Sequence, residues 1–490
     1  MLFNSAHFIV FFPIVILVYY VLPQRGRYLW LLAASYYFYM SWNPKYIVLL
    51  LFTTAVTYAS GRLLAAAQGT TCRKLIVAAS FILNLGVLFY FKYINMAADI
   101  LVRMLGKLHI YLTIPSFDVV LPVGISFFTF QALSYTVDVY RGEIYAEKNF
   151  FRYALYVSFF PQLVAGPIER SKNLLKQLAV PKPFEFERAR EGIFLMLWGY
   201  FLKLVLADRI AIVVDTVYNH YTEYQGWYFI AATVLFAFQI YCDFAGYSTI
   251  AIGAAKILGV NLMENFDAPY TAQSVAEFWR RWHISLTSWF RDYLYIPLGG
   301  GRKGKLRKNA NRMIVFLTSG LWHGASIHFV VWGGINGLYQ IIGETLMPVR
   351  ERLIRLLRLN PDSFGFRLYR TLVTFVLVDL SWVYFRAEGF HAANTIVRSM
   401  VTAKNPWVLF DGSLYTLGLD GPNFRLMIVS IFILLAADIA KRCGITIREK
   451  IIAQDYLFRW VFIACAVVFI LLFGVWGPGY SAANFIYFQF

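Results

Sequence analysis

Residues 228–259 read YFIAATVLFAFQIYCDFAGYSTIAIGAAKILG, with only Asp243 and Lys256 charged. A helix needs about 20 predominantly apolar residues to cross a bilayer, and this run exceeds that. Outward from it, comparable runs recur near 7–22, 28–42, 46–67, 75–93, 119–139, 192–217, 313–343, 368–386, 424–440 and 457–476. The pattern predicts an all-α, polytopic integral membrane protein of roughly 11 transmembrane helices, built as one membrane-embedded domain over 1–490. Pro, Gly or paired bases punctuate several of the runs, as expected at helix ends.

Composition agrees. Hydrophobic residues make up 59% of the chain and aromatic residues 19%, while charged residues reach only 15%. The mean hydropathy is +0.57. A soluble domain carries about 25% charged residues, so lipid must cover much of this surface. The formal net charge of +18 sits largely in short loops near 62–74, 168–190, 302–312, 350–370 and 441–459. That is the positive-inside pattern against anionic lipid, and it argues against nucleic acid as a partner. Cys72, Cys242, Cys443 and Cys465 show neither clustering nor metal-site spacing, so buried small hydrophobes are expected and no metal site. Met1 to Val10 has no basic stretch, so the first run is expected to remain as an anchor.

Not every apolar piece can cross if the basic loops are to share one side. Shorter pieces near 94–106 and 150–165 are therefore expected to be re-entrant or interfacial, the second as a half-span. Stretches 94–118 and 387–423 are expected to be interfacial or extramembrane insertions, and 260–312 an interfacial helix with a basic loop. Within the last, Trp279, His283, Leu286 and Phe290 fall on one helical face. Pro297 and Gly299-Gly300-Gly301 end that helix, and Arg302, Lys303, Lys305, Arg307, Lys308 and Arg312 follow without an acid. Gly299 to Lys305 reads G-x-x-x-x-G-K, but Leu306 comes next and a helix precedes it, so it is no P-loop. Such a loop could rest on anionic lipid or attract a donor's phosphates.

An ionisable group in an apolar span is costly and is a functional candidate. Leu321-Trp322-His323-Gly324 places His323 inside the apolar stretch from Met313 to Tyr339. A neutral imidazole can act as general base; a packed histidine bonded to a carbonyl is the alternative. Gly320, Gly324, Gly333 and Gly334 would admit a substrate or a second helix close by. His328, about 140° further round a continuous helix, should face elsewhere. His283 could point inward from its stripe or sit in the interface. Asp138, Asp243 and Asp379 are buried-looking acids suited to structural pairing, to orienting a histidine or to a proton relay.

The stretch from Glu277 through Phe278-Trp279-Arg280-Arg281-Trp282-His283-Ile284-Ser285-Leu286, continuing Phe290-Arg291-Asp292-Tyr293-Leu294-Tyr295-Ile296-Pro297-Leu298-Gly299-Gly300, resembles the membrane-bound O-acyltransferases. The similarity is nearest to the bacterial branch that O-acetylates alginate and related exopolysaccharides. Leu321-Trp322-His323-Gly324 is similar to that family's catalytic-histidine motif. Met1-Leu2-Phe3-Asn4-Ser5, Leu121-Pro122-Val123-Gly124-Ile125-Ser126-Phe127, Gly166-Pro167-Ile168-Glu169-Arg170 and Tyr487-Phe488-Gln489-Phe490 also match. One departure is Thr249, where the family reads Asp after Tyr247-Ser248. The resemblance implies helices around a central funnel in the bacterial inner membrane, with acetyl-CoA entering from the cytoplasm. It implies His323 as general base and His283 as a positioning histidine. Trp322, Ser285, Arg291, Asp292, Asp243, Arg302 and Lys303 become candidate donor- or substrate-binding residues. The implied acceptors are an extracytoplasmic acetyl-relay partner protein and, through it, a polysaccharide. A transporter or an export-complex scaffold is the competing reading of the same apolar chain.

Overall fold

The computed structural model describes residues 1–115, 117, 120–476 and 486; the Tyr487-Phe488-Gln489-Phe490 ending lies outside the described residues. The described chain is helical, with no strand among the described residues. Among the described residues, six helices are long and apolar enough to cross a membrane: Pro44–Ala66, Thr70–Lys107, Trp227–Ile257, Phe364–Arg386, Gly421–Arg442 and Tyr456–Phe473. Their environments differ. Trp227–Ile257 is 83% buried over its most apolar window, whereas Tyr456–Phe473 is 6% buried and presents Leu457, Leu471 and Leu472 outward. Side chains of that kind need lipid, since water would penalise them.

The chain divides into two compact units, one from Met1–Met196 with Tyr247–Met263, the other from Leu197–Gly246 with the described part of Glu264–Ser481. In the first unit the helices Ala6–Val21, Gln24–Met40, Ile47–Ala66 and Ile125–Arg141 start or stop at recognisable caps. Ser5 accepts from the Phe8 amide, and Gly142 closes the last of them at φ 76°. A Cβ on Gly61 would lie 2.6 Å from the Tyr135 hydroxyl, so the glycine lets these two helices touch. Tyr153 donates to Thr57 Oγ1 at 2.7 Å from the piece expected to be a half-span. That piece is two short helices, Phe150–Ser158 and Phe160–Leu163, broken at Phe159. Both are far too short to cross, and every residue from 153 to 171 is buried in protein, the setting irregular backbone requires at depth.

Three expectations are corrected here. The piece near 94–106 is not separate; it is the last turns of the 38-residue helix Thr70–Lys107, because no proline or glycine pair interrupts it. The 313–343 run is not one span but a hairpin of Gly304–His323 and Ile327–Thr345, turned at Gly324-Ala325-Ser326. Only Cys242 is buried, while Cys72, Cys443 and Cys465 face outward.

In the second unit that hairpin is closed by glycine. A Cβ on Gly320 would sit 2.2 Å from the Phe329 carbonyl oxygen, and one on Gly333 2.2 Å from that of Phe316. The small residues thus serve a second helix, one of the two uses foreseen for them. The stretch after Phe364–Arg386 continues as helix Phe390–Val401 and two short turns. It is anchored by the Gly226 amide donating to Ser399 Oγ at 2.8 Å and by the Trp227 amide donating to Asn405 Oδ1 at 3.1 Å.

Candidate active site

Both candidate histidines lie in the second unit and both are buried, His283 at 1% exposed and His323 at 5%. The face containing Trp279, His283, Leu286 and Phe290 is buried as its periodicity suggests, but the helix is not continuous. It breaks into Val275–Arg281 and Ile284–Phe290, with His283 between them at φ 44°, ψ 53°. A non-glycine residue in this left-handed region costs about 1–2 kcal/mol. Asn265 holds the break open: its carbonyl accepts from the Ile284 amide at 2.9 Å and its Oδ1 from the Ser285 amide at 3.3 Å. Tolerated strain of this kind tends to mark functional positions.

His323 ends the helix Gly304–His323, so the turn at Gly324 aims its imidazole off a helix terminus. The continuous helix assumed in placing His328 is absent. His328 belongs to the next helix, where it is buried and its Nδ1 meets Ser326 Oγ at 2.8 Å. Around His323 stands an aromatic enclosure. Its ring centroid lies 5.2 Å from Trp332, 5.3 Å from Phe385 and 4.9 Å from Trp322. Trp332 in turn stacks on Trp382 at 5.7 Å and 19°. Trp322 also meets His283, with centroids 6.2 Å apart. The two histidines therefore share one indole neighbour.

Around His283, Phe244 packs edge-on at 4.6 Å and 77°, and Ser285 Oγ is buried without a hydrogen-bond partner among the described residues. Burial lowers the His283 pKa from 6.5 to about 3, so its ring is neutral at ordinary pH. A neutral ring can accept or donate a single hydrogen bond, which suits it to holding a donor or acceptor group.

The remaining candidates divide. Trp322 and Ser285 are buried beside the histidines. Arg291 and Asp292 pair with each other at 2.7 Å on a more exposed turn, and that bond raises the guanidinium pKa. Asp243 is not brought to a histidine; it pairs with Lys203 at 2.6 Å. Asp138 accepts from Ser171 at 2.6 Å in the first unit, and one oxygen of Asp379 is buried without a hydrogen bond to any described residue. Arg302 and Lys303 are exposed, yet the basic segment is not the loop expected over 302–312. It is helical from Gly304, with Asn311 donating to the Gly300 carbonyl at 2.9 Å. Lys308 and Arg312 are held by Glu344 at 2.5 and 2.6 Å, leaving Arg302, Lys303, Lys305 and Arg307 exposed at the helix start. Positive charge joins the positive end of the helix dipole there, a combination that favours an anion.

Reading the sequence missed Trp332, Phe385, Phe244 and Lys203. Phe385, Phe244 and Lys203 act on residues distant in the chain, and Trp332 reaches His323 only because the chain turns back at Gly324.

The family model for the membrane-bound O-acyltransferase family matches residues 143–358, which include both histidines. A probable alginate O-acetylase AlgI of Pseudomonas putida is 38% identical over 405 residues, 82% of this chain and 80% of its own length. The chain belongs to the membrane-bound O-acyltransferase family. Within the family, the probable alginate O-acetylase AlgI of Pseudomonas aeruginosa is 37% identical over 82% of this chain and 75% of the relative. A peptidoglycan O-acetyltransferase of Helicobacter pylori is 31% identical over 82% and 80%. As a membrane-bound O-acyltransferase of the alginate O-acetylase-like branch, the protein is a multi-pass membrane enzyme that uses an acyl donor. That membership displaces the transporter and scaffold readings.

Proposed function

We propose that this membrane-bound O-acyltransferase takes acetyl from acetyl-CoA on the cytoplasmic side and delivers it to an extracytoplasmic acceptor, for O-acetylation of an exopolysaccharide such as alginate. The inner membrane is the setting, with the spanning helices arranged about a funnel. The observation that carries the reading is the pair of buried histidines that both neighbour Trp322 within one unit. Relatives named for O-acetylation of alginate and of peptidoglycan support acetyl as the group moved.

In this mechanism His323 Nε2 or Nδ1 takes the proton from the acceptor hydroxyl as its oxygen attacks the acetyl carbonyl. The carbon–sulfur bond breaks as the ester forms, and the proton passes to the leaving thiolate. General-base assistance of this kind contributes about 10²–10⁴ in rate. His283, neutral by burial, positions donor or acceptor with Ser285, and the Trp332 and Phe385 rings keep water from the acetyl group. Arg302 and Lys303 attract the donor's phosphates. A relay protein outside the cytoplasm accepts the acetyl and passes it to the polymer.

The test is transfer from radiolabelled acetyl-CoA by purified protein in nanodiscs, with acceptor supplied. His323→Ala should lower turnover by about 10³-fold in a folded protein. Equal turnover in wild type and variant would overturn the assignment. For the basic residues, Arg302→Glu with Lys303→Glu should raise donor KM several-fold with kcat kept; an unchanged KM would make them lipid contacts.

A further inference from the structure

Between Tyr200 and Asp208 the backbone widens into a single π-turn, Phe201–Ala207, inside an otherwise α-helical run. Such bulges reorient the side chains they carry and recur at functional sites. This one carries Lys203, 3% exposed, into the core of the second unit. The ammonium lies 2.8 Å from Asp208 Oδ1 and 2.6 Å from Asp243 Oδ1, and both carboxylates are themselves buried.

The approach is permitted by glycine. A Cβ on Gly246 would fall 2.8 Å from the Gly199 carbonyl oxygen and 3.0 Å from the Lys203 amide nitrogen. Helix Trp227–Ile257 therefore lies against the bulged backbone, and the Lys203–Asp243 pair fixes its register there. The residue after Asp243 is Phe244, whose ring packs on His283 and on Phe266 at 5.1 Å. Phe266 follows Asn265, which holds the backbone break at His283.

We propose that Lys203 is a positioning residue: its bond to Asp243 seats Phe244 against His283 and keeps that imidazole buried beside Trp322. This rests on the acetyl-transfer reading only for its effect on turnover; the effect on His283 burial does not depend on it. A buried cation shared by two carboxylates suits such a role. It is directional, unlike apolar packing, so it specifies which turn of the long helix faces the histidine.

The experiment measures carbethoxylation of each histidine by diethyl pyrocarbonate in nanodiscs, read by peptide mass spectrometry, alongside acetyl transfer. Lys203→Met should raise His283 labelling about tenfold by local opening while exposed His220 is unchanged. In the same protein kcat should fall more than donor KM rises. Because Lys203→Met strands two buried carboxylates, a second variant, Lys203→Met with Asp208→Asn and Asp243→Asn, removes the charges together. It should fold and show the same selective rise at His283. His283 labelling at the wild-type rate in a folded variant overturns the proposal, as does a uniform rise at all seven histidines, which is general loosening. If neither the wild type nor any variant transfers acetyl but His283 still becomes labelled, the acetyl-transfer reading fails and the positioning role stands.

Discussion

The two histidines are held by opposite means. His323 hangs from a hairpin whose helices touch at Gly320 and Gly333 and whose surroundings are Trp322, Trp332 and Phe385. His283 sits in a strap of short helices tied by polar groups. Arg281 bonds Asp267 at 2.7 Å and Glu277 at 3.0 Å, Lys441 bonds Glu264 at 3.0 Å and Asp267 at 3.3 Å, and Asn265 holds the break. Rings pack directly on His323, and the ion pairs of its hairpin, Lys308 and Arg312 to Glu344, stand more than ten residues from it, so its seat should respond little to pH and salt. The strap gives His283 a seat made of individually weak bonds, adjustable and sensitive to both.

The sharpest way to break this contrast is Gly320→Leu. Its side chain must displace the Phe329 carbonyl, so about 3 kcal/mol of stability should go, with transfer lost in step. Thermal denaturation in detergent would show it; a variant as stable as wild type would mean the hairpin is not glycine-closed.

A smaller effect should come from acid. With a folded-state pKa near 3 against 6.5, the unfolded chain binds the His283 proton first. The stabilisation from keeping His283 neutral is therefore complete above about pH 6.5 and lost progressively toward pH 3. His283→Gln should lose about 1 kcal/mol less than wild type between pH 7 and 5.5. Identical acid limbs in the two proteins would show that His283 is not buried as described.

Smallest of all, Arg281→Met should cost about 0.5 kcal/mol, since its partners Asp267 and Glu277 are partly exposed. That cost should shrink as salt rises from 0.05 to about 1 M, where screening shortens to about 3 Å. A salt-independent loss would assign Arg281 a packing role.

The same contrast explains what could be read without the fold. Apolar runs announce themselves, so the membrane class, the buried stripe at 279–290 and the histidine blocks were legible. The break at His283 was not, because the helical periodicity runs straight through it and Asn265, which enforces it, lies 18 residues earlier. The hairpin at Gly324 was hidden likewise: three small residues suffice to turn the chain, and the apolar composition continues on both sides. Asp243 read as a buried acid suited to structural pairing, to orienting a histidine or to a proton relay, with no partner named. Its partner, Lys203, stands 40 residues away and is aimed by a bulge that no composition betrays.

The helix Thr70–Lys107 carries a consequence for the surrounding bilayer. Its 38 residues at about 1.5 Å each reach about 57 Å, nearly twice the ~30 Å hydrocarbon thickness. Tilt alone would need an angle of about 58°, beyond the 0–40° seen for spanning helices, so at least one end must stand clear of the acyl chains. With most of its surface unburied, the helix is a dipstick: spin labels placed turn by turn from Leu75 to Lys107 would record where lipid begins and ends beside the enzyme.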